Sequence, residues 1–200
     1  FYFNKGYTLF SKKQYKAAKS LLEKVAKNPK FESDVHYYLG HIAYQLEDYE
    51  GASSSFTRVS KKDQQDDLGY FQVEMNFKLG RFKKALKLGK VEIEKAEGET
   101  LSQLSKILGE SHFNLEEYEA ALGYLKNYKG RNGKWNHVDY FQLGYTYYKT
   151  NDYTNAIDQF NKIIVKKNAL SQSAYYYLAE CYLMNESESK SAALNAYKSS

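Results

Sequence analysis

Leu143-Gly144-x-x-Tyr147, then Tyr153-x-x-Ala156-x-x-x-Phe160, gives two apolar stripes of helical period separated by the polar run Lys149-Thr150-Asn151-Asp152. The second half of this unit recurs along the chain as Tyr15-x-x-Ala18-x-x-x-Leu22, Tyr49-x-x-Ala52-x-x-x-Phe56, Phe82-x-x-Ala85 and Tyr118-x-x-Ala121-x-x-x-Leu125, and a sixth copy ends in Ala193-x-x-x-Tyr197. The anchoring alanines 18, 52, 85, 121, 156 and 193 lie 34, 33, 36, 35 and 37 residues apart. Upstream of most of them stands a second mark: Leu39-Gly40-x-x-Ala43, Leu108-Gly109-x-x-His112, Leu143-Gly144-x-x-Tyr147 and Leu178-Ala179-x-x-Tyr182. A period of this length is the mark of stacked supersecondary units, none of which can bury its own apolar face alone.

In length and pattern these copies resemble the tetratricopeptide repeat, with its W-x2-L-G-x2-Y…A-x3-F signature. The resemblance covers essentially the whole chain. It implies an all-α solenoid, a right-handed superhelix of about six helix-turn-helix repeats, hence about twelve antiparallel helices. Approximate repeat bounds are 1–32, 33–65, 66–101, 102–136, 137–171 and 172–200, in a single solenoid expected to be a piece of a longer chain.

The small residue of each first helix (Gly6, Gly40, Gly109, Gly144, Ala179) is expected to face the small one of the second (Ala18, Ala52, Ala121, Ala156, Ala193). The large residues Leu22, Phe56, Leu125 and Phe160 would then plug into the neighbouring repeat. Two copies depart from the pattern. The third has Val73 in place of Gly and Gly89 in place of a large residue, which with the charged stretch Lys90–Glu99 predicts a softer joint. The sixth carries an extra Asn185-Glu186-Ser187-Glu188-Ser189 segment in its turn.

Composition agrees with a helical array. One Pro in 200 residues suits nearly continuous helix, and 42% hydrophobic with 26% charged residues suits a folded chain. The 21 Tyr and 11 Phe, with a mean hydropathy of -0.71, point to a core of amphipathic rings. The net charge of +5 is spread from Lys5 to Lys198 among acids, without the concentrated stripe of a nucleic-acid binder, so no nucleic-acid partner is expected. Cys181 is the only cysteine, which excludes an intrachain disulfide and a Cys-rich zinc site. No apolar run reaches the ~18 residues of a membrane span.

Chemical motifs are lacking. There is no G-x-S-x-G, H-E-x-x-H or G-x-x-x-x-G-K-[ST]. Lys129-Gly130-Arg131-Asn132-Gly133-Lys134 reads as a basic connector between the fourth and fifth repeats. His36, His41, His112 and His137 are too dispersed to chelate a metal. Asp66-Asp67 and Glu116-Glu117 read as turn or helix-start acids, and Cys181 as a small buried hydrophobe. No enzyme activity and no cofactor is expected.

In the family the first helix of each repeat lines a concave face where partner segments dock. One stripe of that helix gives Phe3, Tyr7, Phe10; Tyr37, His41, Tyr44; Tyr70, Glu74, Phe77; Lys106, Glu110, Phe113; Phe141, Tyr145, Tyr148; and Tyr176, Glu180, Leu183. The candidate groove is this set from Tyr37 to Glu180. It has two readings: a protein or peptide partner held by aromatic contact, or rings packed on one another between repeats. The Lys/Asn clamp that grips carboxyl termini in some family members looks absent, because Lys106 is followed by Glu110. The expected function is a protein-interaction scaffold. A spacer without groove ligand is the alternative, and a glycan groove a more remote one. The tyrosine-rich style is similar to repeat proteins of the Gram-negative cell envelope, which suggests the periplasm, with the cytoplasm as the alternative.

Overall fold

The computed structural model describes residues 1–164, 168–185 and 190–199. Its helices are α1 (Tyr2–Ser11), α2 (Tyr15–Glu23), α3 (Glu32–Gln45), α4 (Tyr49–Phe56), α5 (Lys62–Asp67), α6 (Gly69–Lys78), α7 (Phe82–Ile93), α8 (Gly98–Asn114), α9 (Tyr118–Leu125), α10 (His137–Lys149), α11 (Tyr153–Asn161), α12 (Ala169–Met184) and α13 (Lys190–Ser199). No strand occurs among the described residues, only an isolated bridge between Arg131 and Lys134 in the basic connector. The chain forms two compact units, Phe1–Glu94 with α1–α7 and Lys95–Ser200 with α8–α13. Within the first, α1/α2, α3/α4 and α6/α7 pack as hairpins; within the second, α8/α9, α10/α11 and α12/α13 do so.

Five of these hairpins close by the same local device. Lys13, Glu47, Gly80, Glu116 and Asn151 hold φ of 58°, 60°, 68°, 60° and 61°, the left-handed conformation. The next amide in each case reaches back five residues: Gln14 N to Leu9 O, Asp48 N to Ala43 O, Arg81 N to Asn76 O, Glu117 N to His112 O and Asp152 N to Tyr147 O, at 2.8–3.0 Å. This is the Schellman closure, which satisfies carbonyls that a helix end would leave open. Asp48 and Asp152 then cap the following helices by accepting from Gly51 N at 2.9 Å and Asn155 N at 3.3 Å.

The packing of small residues differs from the expectation. A Cβ on Gly40 would lie 2.3 Å from the Phe56 ring, one on Gly109 2.7 Å from Leu125, one on Gly6 2.9 Å from Leu22 and one on Gly144 3.0 Å from Phe160. The atoms nearest each glycine belong to the large residue sixteen places on, and not to the alanine. The glycine is therefore the socket for its own repeat's bulky side chain. The ring still reaches the next repeat, since Phe56 lies 6.4 Å from Phe71 and Phe160 lies 6.1 Å from Tyr177.

The third copy keeps this pair of sites with the sizes exchanged: Val73 and Gly89 are both buried. Bulk has moved to the other helix instead of disappearing. The same copy accounts for the thirteenth helix, because its first helix is broken into α5 and α6 at the buried Leu68. Asp66 and Asp67 thus end α5 and do not start a helix. In the sixth copy α13 follows α12, while residues 186–189 of the inserted segment lie outside the described residues.

Candidate partner-binding groove

In the first unit the candidate residues occupy α3 (Tyr37, His41, Tyr44) and α6 (Tyr70, Glu74, Phe77), and all are partly buried. Phe71, one place after Tyr70, inserts its ring among those of the preceding repeat, 4.9 Å from His41 and 5.1 Å from Tyr44. Tyr38 does the same one repeat earlier, 6.3, 5.2 and 5.1 Å from Phe3, Tyr7 and Phe10. Tyr37 meets His41 edge-on at 4.5 Å, and Phe77 lies 5.9 Å from Phe82. The Tyr44 hydroxyl donates to the Glu74 carboxylate. Burial first, then this bond and the charge of Glu74, push the Tyr44 phenol far above its ordinary range.

In the second unit Lys106, Glu110 and Phe113 lie on α8, Phe141, Tyr145 and Tyr148 on α10, and Tyr176 and Glu180 on α12. Tyr177 fills the space among the α10 rings, 6.1 Å from Phe141, 4.9 Å from Tyr145 and 5.3 Å from Tyr148. Tyr176 stays 47% exposed. Glu180 accepts from the Tyr197 hydroxyl, and that bond, followed by burial, pushes the Tyr197 phenol up to about 12. Tyr148 is raised as well, by burial and then by the Glu180 charge.

The junction of α8 with α10 is built differently. The place held by Tyr38, Phe71 and Tyr177 is held here by Gln142. Lys106 instead donates to Asp139, whose side chain is 3% exposed, and sits 3.8 Å from Glu110 and 4.8 Å from the centre of the Tyr128 ring. Asp139 is fixed by a capping box in which it accepts from Asn136 N at 2.9 Å. Burial works against the Lys106 charge, but the Asp139 bond and the nearby acids outweigh it and raise its pKa. A shallow gap beside Gln142 is lined by Lys106, Leu125, Tyr128, Trp135, Asp139 and Leu143.

The structure thus brings the candidate rings together through residues that the stripe analysis did not select. Tyr38, Phe71 and Tyr177 are the second members of the doublets Tyr37-Tyr38, Tyr70-Phe71 and Tyr176-Tyr177, and the doublet itself was the available signal. Asp139 gave none, because its role depends on Lys106 in the preceding repeat. Among the remaining candidates, Cys181 is fully buried, and burial, then Glu180, pushes its thiol up to about 12. Such a thiol is inert at neutral pH.

Comparison with known families finds tetratricopeptide repeat models over residues 9–70 and 141–199, together more than half of the chain. The chain belongs to the tetratricopeptide repeat (TPR) family. Among solved structures it is similar to a MamA protein, with 18% identity over 85% of this chain and 90% of that one and a TM-score of 0.64. A MamA fragment from Desulfovibrio magneticus gives 19% identity, 82% and 91% coverage and a TM-score of 0.66. The C-terminal part of a TPR protein from Cytophaga hutchinsonii gives 16%, 98%, 77% and 0.65. No curated protein matches the sequence. At these identities the neighbours show the TPR solenoid fold. The TPR repeats make this chain an α-helical scaffold for protein binding, in a family whose members are typically not catalysts. No described helix is long and apolar enough to cross a membrane.

Proposed function

We propose that the stripe of Tyr37, His41, Tyr44, Tyr70, Glu74 and Phe77 in the first unit, and that of Lys106, Glu110, Phe113, Phe141, Tyr145, Tyr148, Tyr176 and Glu180 in the second, each dock a segment of a partner protein. The observation that carries this reading is Tyr176, a large ring 47% exposed beside the uncovered part of Tyr148 and Glu180. Tyrosine gives a binding surface much area for little rotamer entropy. Capture of partners from extracts of the source cell tests it, comparing the native chain with a folded Phe77→Ala, Tyr148→Ala, Tyr176→Ala variant. Loss of a specific protein from the variant supports docking. Identical capture by both rejects the groove as the binding face.

A second reading has its own support. Phe71 and Tyr177 bury one side of Tyr44, Tyr145 and Tyr148 between repeats, as a spacer without a groove ligand would require. For these rings the two readings divide the side chain between an inner, packed edge and an outer edge. The capture experiment addresses only the outer one.

A further inference from the structure

The chain is positive overall, and its excess lies in the first unit, which holds 17 Lys and Arg against 12 Asp and Glu. Lys83, Lys84, Lys87 and Lys90 are all exposed on α7, and Lys16 is exposed on α2. The charges set among the candidate rings have the opposite sign. Glu74 meets the hydroxyl of Tyr44 and Glu180 that of Tyr197, and among the described residues neither has a cation within salt-bridge range. A phenol hydroxyl satisfies a carboxylate lone pair without cancelling its charge. The single lysine of the stripe, Lys106, is matched by Asp139 and Glu110, so this trio is itself net negative. The phenols of Tyr44 and Tyr148 are raised first by burial and then by these carboxylates.

The rings are suited to the same kind of ligand. Elsewhere in the second unit, tyrosine faces already hold ammonium groups, with Lys126 over Tyr147 at 5.2 Å, Lys149 over Tyr118 at 5.2 Å and Lys162 over Tyr140 at 5.1 Å. Among the described residues no lysine or arginine covers Tyr44, Phe77, Tyr148 or Tyr176. Each unit thus sets an uncancelled carboxylate beside ring surface that no cation occupies.

We infer that the partner segment bound by this stripe is basic, its lysine or arginine side chains seated at the Tyr44/Glu74 pair within the first unit or at the Tyr148/Glu180 pair within the second. This rests on the docking reading above and adds the sign of the ligand's charge. A segment of acidic character would meet these carboxylates unpaired and would be excluded.

The test uses the full chain and three fluorescent peptides of equal length, with lysine, glutamine or glutamate at every third position among alanine and tyrosine. Anisotropy titration is expected to rank them lysine over glutamine over glutamate. Glu74→Gln with Glu180→Gln should weaken the lysine peptide about three- to tenfold and leave the glutamine peptide unchanged. The thermal midpoint of each variant confirms that it is folded. Equal affinity for lysine and glutamine peptides, with both weakened by Phe77→Ala and Tyr176→Ala, overturns the charge inference and keeps the docking face. Lysine-peptide binding that neither the Glu nor the ring variants alter overturns both. Absence of lysine-peptide binding at millimolar concentration also overturns the charge inference.

Discussion

Two junctions in the second unit solve one packing problem by opposite means. Between α10 and α12, Tyr177 enters a cage of Phe141, Tyr145, Tyr148 and Phe160, and the joint is held by apolar area and ring contacts. Between α8 and α10 the equivalent place carries Gln142 beside a gap, and the Lys106–Asp139 pair is added to the Phe113–Tyr145 ring contact and the packing of Leu125 with Leu143. The repeat therefore fixes where a side chain must bridge two units but not the kind of force it supplies. An aromatic bridge tolerates salt and pH below the phenol range. A charged bridge depends on both of its ends.

Removing Tyr177 should break the apolar junction most severely. Tyr177→Ala is expected to cost about 3 kcal/mol in urea denaturation, whereas Gln142→Ala at the equivalent place should cost under about 0.5 kcal/mol. Asp139→Asn comes next, at about 2 kcal/mol, because it leaves Lys106 underpaired in a half-buried site and weakens the cap of α10. The cost of Asp139→Asn should be smaller in a Lys106→Met background, and an unchanged cost would show that the cap alone matters. Gln142→Phe inverts the comparison. If the gap is an unfilled ring site, this substitution should raise stability by about 1 kcal/mol, and a loss would mean that the polar floor rejects the ring.

Acid supplies the smallest effect and separates the two units. His36 is 6% exposed with neither ring nitrogen hydrogen-bonded, and its pKa is lowered by burial and then by Arg58, against the opposing charge of Glu32. The unfolded chain takes up this proton first, so the first unit should lose stability as pH falls below about 6.5 and should not gain any above it. Denaturation midpoints from pH 7.5 down to 5 check this. The slope attributable to His36 should vanish in His36→Phe, and a slope unchanged by that substitution would place the proton uptake elsewhere.

The repeat, the helix pairs and their turns were legible because they rest on local periodicity and on spacings within about forty residues. The pairing of Gly6, Gly40, Gly109 and Gly144 with Leu22, Phe56, Leu125 and Phe160 was present as a constant sixteen-residue interval. Periodicity alone does not separate this pairing from one of small residue on alanine, since both intervals are constant along the first five repeats. The stripe of candidate groove residues was legible as a helix face. The division of labour inside each aromatic doublet was not, since two adjacent rings point about 100° apart and only the neighbouring repeat decides which is covered. Nor was the break of the third first helix at Leu68, where the charged run 61–67 shows no apolar period to extend or to interrupt.

The Schellman turns carry one more consequence. In each of the first five repeats the alanine follows the site of the small residue by twelve positions, from Gly6–Ala18 to Gly144–Ala156, while the alanines themselves drift between 33 and 36 apart. The variation over these five copies lies in the links that leave the second helices, such as the Lys129–Lys134 connector. Each closed hairpin is thus a cassette of fixed length on a strap of free length. Grafting experiments should exchange cassettes at the straps, and a protease should be expected to cut there first.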